Sequence, residues 1–153
     1  MAHSALLLLV GIVGLRLSVI DLQTHRLPDR LTAPLALSAG TVLLGWGTVE
    51  GIRSALVASI LTGVWWWAIA LLPSRPLGMG DVKLQFILGA ALGYGGLYWA
   101  IFGAAGSFML GGAYALARMA FNRGSLHAPI AFGPWMVAST LLISLLRESL
   151  EII

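Results

Sequence analysis

The sequence has 153 residues, of which 59% are hydrophobic and 10% are charged, whereas a typical soluble domain is about 25% charged. The formal net charge of +3 is small and is scattered among apolar runs, so the composition excludes a basic nucleic-acid-binding surface and predicts a membrane protein. The absence of cysteine excludes disulfides, thiolate zinc sites and cysteine nucleophiles from this chain.

Apolar stretches predict six transmembrane helices, each near the length needed to cross about 30 Å of hydrocarbon. They lie at residues 5–20, 31–47, 55–72, 77–95, 97–117 and 130–146. The first stretch lacks a preceding basic segment and an A-x-A cleavage site, so it is predicted to be retained as a span. We therefore predict that residues 1–153 form one all-α, membrane-embedded domain.

The boundary between the fourth and fifth spans lies inside one uncharged run, from Leu84 to Ala117. As a single helix this run would be ~51 Å long, which is too much for one span. The sequence Gly93-Tyr94-Gly95-Gly96 is the predicted turn. Within the fourth span, Gly89 and Gly93 form a G-x-x-x-G motif, which predicts a close-packed helix seam.

Lysine and arginine, which are retained on the cytoplasmic side of membranes, concentrate in the first, third and fifth connections. They are Arg26, Arg30, Arg75, Lys83, Arg118 and Arg123. The opposite side carries Arg53 and Arg147. The predicted topology places both termini outside and puts Asp21 and Asp81 on the cytoplasmic side. We therefore predict that the first and fourth helices are neighbours and that the two carboxyl groups face one cavity open to the cytoplasm. Aromatic residues give this topology partial support, because Trp46, Tyr94, Tyr98 and Trp99 lie where the outer interface belt is expected. Trp65, Trp66 and Trp67 fit less well, since they lie inside the third predicted span.

Asp21 and Asp81 are predicted at the membrane margins. The first span is only ~24 Å long, which draws Asp21 to its end, and residues 82–95 give only ~21 Å, so the fourth helix is predicted to begin before Asp81. Acidic residues inside a membrane are costly and are therefore functional candidates. The alternative is that each is a hydrated interfacial residue, or is paired with a basic neighbour.

Two carboxyl groups held a few ångströms apart cannot both ionise easily. One can then activate water while the other donates a proton to a carbonyl oxygen, as in aspartic proteases. Helix dipoles predict a division of roles, with Asp81 near a helix N-terminus as the anion and Asp21 near a C-terminus as the acid. A small proton- or cation-coupled transporter using the same two acids is the alternative from another class, and a structural subunit is a third.

Three ordered blocks of sequence resemble the motifs of type IV prepilin peptidases, which are intramembrane aspartyl peptidases of the GxGD kind. The block Gly78-Met79-Gly80-Asp81-Val82-Lys83-Leu84 resembles the GxGD signature with its trailing V-K-L. Residues 21–32, DLQTHRLPDRLT, resemble the first catalytic segment, and residues 130–134, IAFGP, are similar to a late PFGP motif with Ala131 in place of proline. The resemblance implies a six-helix fold with Asp21 and Asp81 as the catalytic pair.

The same resemblance implies a substrate and a location. It implies removal of short basic leaders from prepilin or pseudopilin precursors, after a glycine, on the cytoplasmic side of the inner membrane, without a cofactor or metal. Long members of the family carry a cytosolic insert with paired CxxC motifs that binds zinc and accompanies N-methylation. This chain instead resembles the short members, including those of tight-adherence pilus systems and the archaeal preflagellin peptidases. The implied partners are the precursor and the lipid bilayer, with no nucleic acid, and the oligomeric state is left open.

Six further residues are predicted to support the pair, namely Gly78, Gly80, Lys83, Pro28, Gly133 and Pro134. Gly78 and Gly80 lack side chains and so allow a substrate backbone to approach Asp81. Lys83 is predicted to anchor the helix at the interface or to tune Asp81.

The prolines and the remaining polar residues have structural explanations. Pro134 is predicted to lie inside the sixth span, where it would disturb the helix and free a carbonyl, either to help bind substrate or merely to bend the helix. Pro28 ends the first loop, and Asp29 is predicted to cap the second helix rather than to act as a catalytic acid. The three histidines, His3, His25 and His127, do not have the spacing of a ligand cluster, so no metal site is predicted.

Overall fold

The computed structural model describes residues 2–24, 29–72, 77–121 and 131–151, with side chains for 8–21, 32–72, 77–121 and 131–150. These residues form six α-helices. They are α1 (Ala2–Thr24), α2 (Asp29–Trp46), α3 (Val49–Ala70), α4 (Met79–Gly93), α5 (Leu97–Ala120) and α6 (Gly133–Glu151). The all-α prediction is confirmed, and each helix overlaps one predicted stretch.

The turn between α4 and α5 lies where the glycines predicted it. α4 ends at Gly93 and α5 begins at Leu97. Gly96 has a φ of 133°, a conformation that side chains with a Cβ rarely adopt. The uncharged run is therefore broken by a glycine that can make the required turn.

Two helices, α3 and α5, are long and apolar enough to cross a membrane by length and composition, and Thr32–Trp46 within α2 forms a shorter apolar helix. The full count of six spans stays a prediction. So does the topology, since Arg26, Arg75 and Arg123 lie outside the described residues.

The outer surface of the bundle is apolar and part of its interior is polar. Large side chains such as Leu8, Ile12 and Leu44 are more than half exposed, whereas Ser107 and Thr140 are buried. Both buried hydroxyls donate to carbonyls of their own helices. This distribution suits a bundle whose outer surface contacts lipid and whose helices associate through small and polar residues.

α3 and α4 pack along the predicted G-x-x-x-G seam, which is confirmed. A Cβ on Gly89 would meet the Thr62 hydroxyl, and one on Gly93 would meet the Ala58 Cβ. Two serines of α3 bond across the same seam: Ser59 Oγ donates to the Phe86 carbonyl, and Ser54 Oγ donates to the Gly93 carbonyl, each at 2.7 Å. The missing side chains thus allow the backbones to approach within reach of hydroxyl groups.

α1 and α6 pack antiparallel. A Cβ on Gly14 would lie 3.0 Å from the Val137 methyls, and a Cβ on Gly11 would lie 3.8 Å from Leu141. At the end opposite to Asp21, Arg147 of α6 covers Gly95 in the turn between α4 and α5. The beginning of α6 therefore lies at the end of the bundle where α1 finishes and α4 starts.

Candidate active site

Asp81 lies in the first turn of α4, as the third residue of the helix. The helix therefore starts before Asp81, as predicted from its length. Gly78 is the N-cap, and its N–H donates to Asp81 Oδ2 at 3.1 Å, while the Asp81 N–H donates back to the Gly78 carbonyl at 3.1 Å. The carboxylate thus satisfies a backbone donor that the helix leaves unpaired, next to the positive end of the helix dipole. Asp81 is only 8% exposed.

Asp21 lies in the last turn of α1 and is 4% exposed. Its Oδ2 accepts a 2.9 Å hydrogen bond from the N–H of Gly133, the first residue of α6. A Cβ on Gly133 would lie 2.8 Å from that oxygen, a separation at which one of the two atoms must move. The close approach of Asp21 to α6 therefore requires a residue without a side chain at position 133.

The two acids lie at the same end of the bundle. α1 contacts α4, and the Asp21 and Asp81 carboxyl groups are close enough for their charges to interact. The predicted adjacency of the first and fourth helices is confirmed. Burial and mutual repulsion both disfavour the state in which the two groups are ionised together, so the pair is suited to holding one proton. The catalytic roles and the cytoplasm-open cavity stay predictions.

The predicted supporting residues are only partly gathered at this site. Gly78 is exposed beside the Asp81 carboxylate, and a Cβ there would lie 3.3 Å from Oδ2. Gly80 is half-buried in the first turn of α4. Lys83 is exposed and lines a groove of about 450 Å³ between α2 and α4. Pro28 lies outside the described residues, and α2 begins at Asp29, whose side chain is also outside them. The three histidine side chains lie outside the described part as well.

The prediction for Pro134 was wrong. α6 begins at Gly133 rather than at residue 130, so Pro134 is the second residue of the helix. The first N–H groups of a helix have no partner within it, and proline at such a position removes nothing. Pro134 therefore starts the helix instead of disturbing it.

The predicted division of roles loses its basis. That prediction assumed that the only helix dipole acting on Asp21 is the negative end of its own helix, α1. Through Gly133, Asp21 also receives a backbone donor from the N-terminus of α6. Both carboxylates therefore lie at a helix N-terminus, and helix dipoles do not distinguish the anion from the acid.

Gln85 was not among the site residues predicted from the sequence. It is 2% exposed and lies four residues after Asp81, on the same face of α4 and one turn deeper in the bundle. A polar residue at this spacing in an otherwise apolar helix is the signal that could have identified it. The hydrogen bond from Gly133 to Asp21 had no comparable signal, because it joins residues 112 positions apart.

Comparisons with known proteins show which sequences this chain resembles. Residues 7–116 match the model of the type IV leader peptidase family. A prepilin leader peptidase/N-methyltransferase of Burkholderia pseudomallei (strain 1026b) is 36% identical over 129 residues, covering 81% of this chain and 40% of that protein. The proteins of the same description from Dickeya chrysanthemi and Escherichia coli (strain K12) are 36% and 33% identical, covering 80% and 84% of this chain.

The chain spans about half the length of these relatives, 44% of the Dickeya protein and 57% of the Escherichia protein. No solved structure matches the chain with significance. The family match includes Asp21 and Asp81, which lie on the two helices that the structure brings together, and it extends over most of the chain. The chain therefore belongs to the type IV leader peptidase family.

Proposed function

We propose that this chain is an intramembrane aspartyl endopeptidase that removes the short leader from prepilin or pseudopilin precursors, with Asp21 and Asp81 as its catalytic pair. The observation that carries the proposal is that two buried carboxyl groups from distant parts of the sequence lie at the same end of the bundle, on helices that contact each other. Each carboxylate accepts a backbone N–H that fixes its position. The family match supports the choice of leader peptides as substrate.

The pair supplies both proton transfers that peptide hydrolysis needs. The ionised carboxylate takes a proton from water as the water oxygen adds to the scissile carbonyl carbon. The protonated carboxyl group donates to the carbonyl oxygen. When the tetrahedral intermediate collapses, the C–N bond breaks and the proton taken from water passes to the leaving amine. One hydroxyl of the intermediate returns its proton to the carboxylate that had acted as the acid, so that the product is a carboxylic acid and the pair again holds one proton. Neither step requires a nucleophilic side chain or a metal.

The positions of the acids on their helices support a proposed membrane setting. Asp21 is in the last turn of α1 and Asp81 is in the first turn of α4, so both are near helix ends, where water and a polar leader can reach them. We propose six membrane spans with this end on the cytoplasmic side of the inner membrane. The apolar segment of the precursor would then lie in the bilayer while its leader extends into the cytoplasm.

The transporter alternative receives less support. A proton- or cation-coupled carrier typically has its acids near the middle of the membrane, at the interface of internal repeats. Here the two acids lie at helix ends. The second activity in the names of the relatives, N-methylation, is not proposed, because this chain has no cysteine with which to form paired CxxC motifs.

Co-expression with candidate prepilin precursors tests the proposal. We expect a mobility shift of the precursor, and a product mass that corresponds to cleavage at the junction between leader and apolar helix. The Asp21→Asn and Asp81→Asn variants should leave the precursor intact. Failure to cut prepilin-type precursors that an active relative cuts in the same cells would contradict the proposal. Proton uptake into proteoliposomes that depends on both acids would favour the transporter.

A further inference from the structure

Three aromatic side chains form a cluster beside the start of α6. Trp66 of α3 is fully buried, with its ring centroid 4.5 Å from that of Phe108 and 6.0 Å from that of Phe132. The Phe108 and Phe132 centroids are 5.9 Å apart. Gly111 of α5 leaves space for the Phe132 ring, since a Cβ on Gly111 would lie 2.8 Å from Phe132 Cε1. Phe132 is therefore held by α3 and α5 together.

Phe132 belongs to the peptide unit that reaches Asp21. The carbonyl of Phe132 accepts hydrogen bonds from the N–H groups of Trp135 and Met136, each at 3.1 Å, and so starts α6. The N–H of the same peptide unit is that of Gly133, which donates to Asp21 Oδ2. Because a peptide unit is planar, fixing one end of it fixes the direction of the other. The placement of the Phe132 ring thus bears directly on the hydrogen bond to Asp21.

Within the residues that the structure describes, the indole of Trp66 makes ring contacts and no hydrogen bond. Its Nε1 is buried without a hydrogen-bond partner in the described part of the chain. A buried donor without a partner is destabilising, and a phenyl ring would avoid that penalty while filling less space. The position therefore uses the bulk of the indole against the two phenyl rings.

We propose that Trp66 is a positioning residue for Asp21: by packing on Phe132 it fixes the peptide whose N–H binds the Asp21 carboxylate. This inference rests on the proposed function for its catalytic consequence. It assigns a role to one of the three tryptophans whose location in the third helix did not fit an interfacial belt.

The test compares substitutions at adjacent tryptophans of α3. Trp66→Leu removes the contact with Phe132 and should lower kcat by about tenfold or more, since a misdirected donor no longer stabilises the reacting carboxylate. KM should change by less than about twofold, because the buried side chain does not touch the precursor. Trp66→Phe keeps an aromatic contact and should restore most of the lost rate. Trp65→Leu is the matched control, since Trp65 is 65% exposed, and it should have the wild-type rate.

A double-mutant cycle separates positioning from general destabilisation. If Trp66 acts through Phe132, then Trp66→Leu combined with Phe132→Leu should lose little more activity than either variant alone. Leu92→Ala, which opens a cavity near the other end of α4, should lower the melting temperature without lowering kcat. Additive losses in the cycle would overturn the proposal. The proposal would also be overturned if Leu92→Ala lowered kcat in proportion to its loss of stability. A folded Trp66→Leu variant with the wild-type kcat would overturn it as well.

Infrared spectra test the same inference without a substrate. The carboxyl bands of Asp21 can be assigned by subtracting the spectrum of Asp21→Asn. These bands should shift in Trp66→Leu and stay unchanged in Trp65→Leu, since only the former alters the donor from Gly133. Unchanged bands in Trp66→Leu would overturn the positioning role even if the wild-type protein cleaves precursors. Shifted bands in a protein that cleaves no precursor would support the positioning and contradict the proposed function.

Discussion

Replacing Gly133 with alanine adds one methyl group at the point where α6 meets Asp21. The new Cβ would lie 2.8 Å from Asp21 Oδ2 and 3.4 Å from its Cβ and Cγ. Real Cβ atoms essentially never approach an oxygen so closely, so the Asp21 side chain must rotate away. The antiparallel contact of Gly14 with Val137 keeps α1 and α6 close together. The Asp21 carboxyl group therefore moves, and this movement disrupts its 2.9 Å hydrogen bond from Gly133.

The size of the effect follows from that hydrogen bond. A hydrogen bond to a charged group contributes about 1.5–3 kcal/mol. If the bond is lost in the transition state, kcat/KM falls by about 10- to 150-fold, at roughly tenfold per 1.4 kcal/mol. Gly78→Ala is a milder case at the other acid, because its Cβ would lie 3.3 Å from Asp81 Oδ2 and a shift of a few tenths of an ångström relieves the contact.

Initial rates of leader removal from a purified precursor in detergent measure the effect. Gly112→Ala is the matched control, since a Cβ there meets no atom within 4 Å and the same methyl group is added to a neighbouring helix. We expect the wild-type rate for Gly112→Ala, a small loss for Gly78→Ala and the large loss for Gly133→Ala. A folded Gly133→Ala enzyme within about twofold of the wild type would refute the proposed importance of this hydrogen bond.

Three further predictions concern the acids, the product and the helix packing. Asp21→Asn and Asp81→Asn should each leave less than about a tenth of the cleavage activity, because one acid cannot perform both proton transfers; comparable loss in the control Asp29→Asn would show that a catalytic acid was misassigned. The mature product should carry an unmodified N-terminal amine by mass spectrometry, and chelators should not slow cleavage; inhibition that added zinc reverses would contradict a metal-free mechanism. Gly93→Ala should lower the free energy of unfolding by about 1–3 kcal/mol, because the added methyl group overpacks against α3. Gly45→Ala, on an open surface, is the control and should not lower it. Equal melting temperatures for the two variants would argue against the seam.

The helices could be predicted from the sequence because their signals are local. Apolar stretches of roughly the right length located all six, and the glycines from Gly93 to Gly96 located the turn that divides an otherwise continuous run. The seam at Gly89 and Gly93 was also predictable, since small residues at this spacing form a flat face on a helix. The start of α6 was less predictable, because Ile130 and Ala131 continue the apolar pattern although the helix begins at Gly133.

Contacts between distant segments could not be predicted in the same way. Apolar periodicity does not show that the Gly133 N–H points at Asp21, because the contact depends on how α1 and α6 cross. Similarly, nothing in the third helix distinguishes Trp66 from its exposed neighbours Trp65 and Trp67. The role of each tryptophan depends on which face of α3 contacts α5 and the segment before α6.

The alternating direction of the helices determines which backbone groups the site can use. In a bundle whose successive helices run in opposite directions, the end that holds the C-terminus of α1 also holds the N-termini of α4 and α6. Helix N-termini present unpaired N–H groups and the positive end of the helix dipole. Two of them converge here, through Gly78 and Gly133, on the carboxylates of Asp81 and Asp21. The same polarity favours the negative charge that develops on a peptide carbonyl during hydrolysis. If the pair is catalytic as proposed, the N-termini of α4 and α6 stabilise both its anion and the transition state, whereas a helix that reached the site with its C-terminus would stabilise neither.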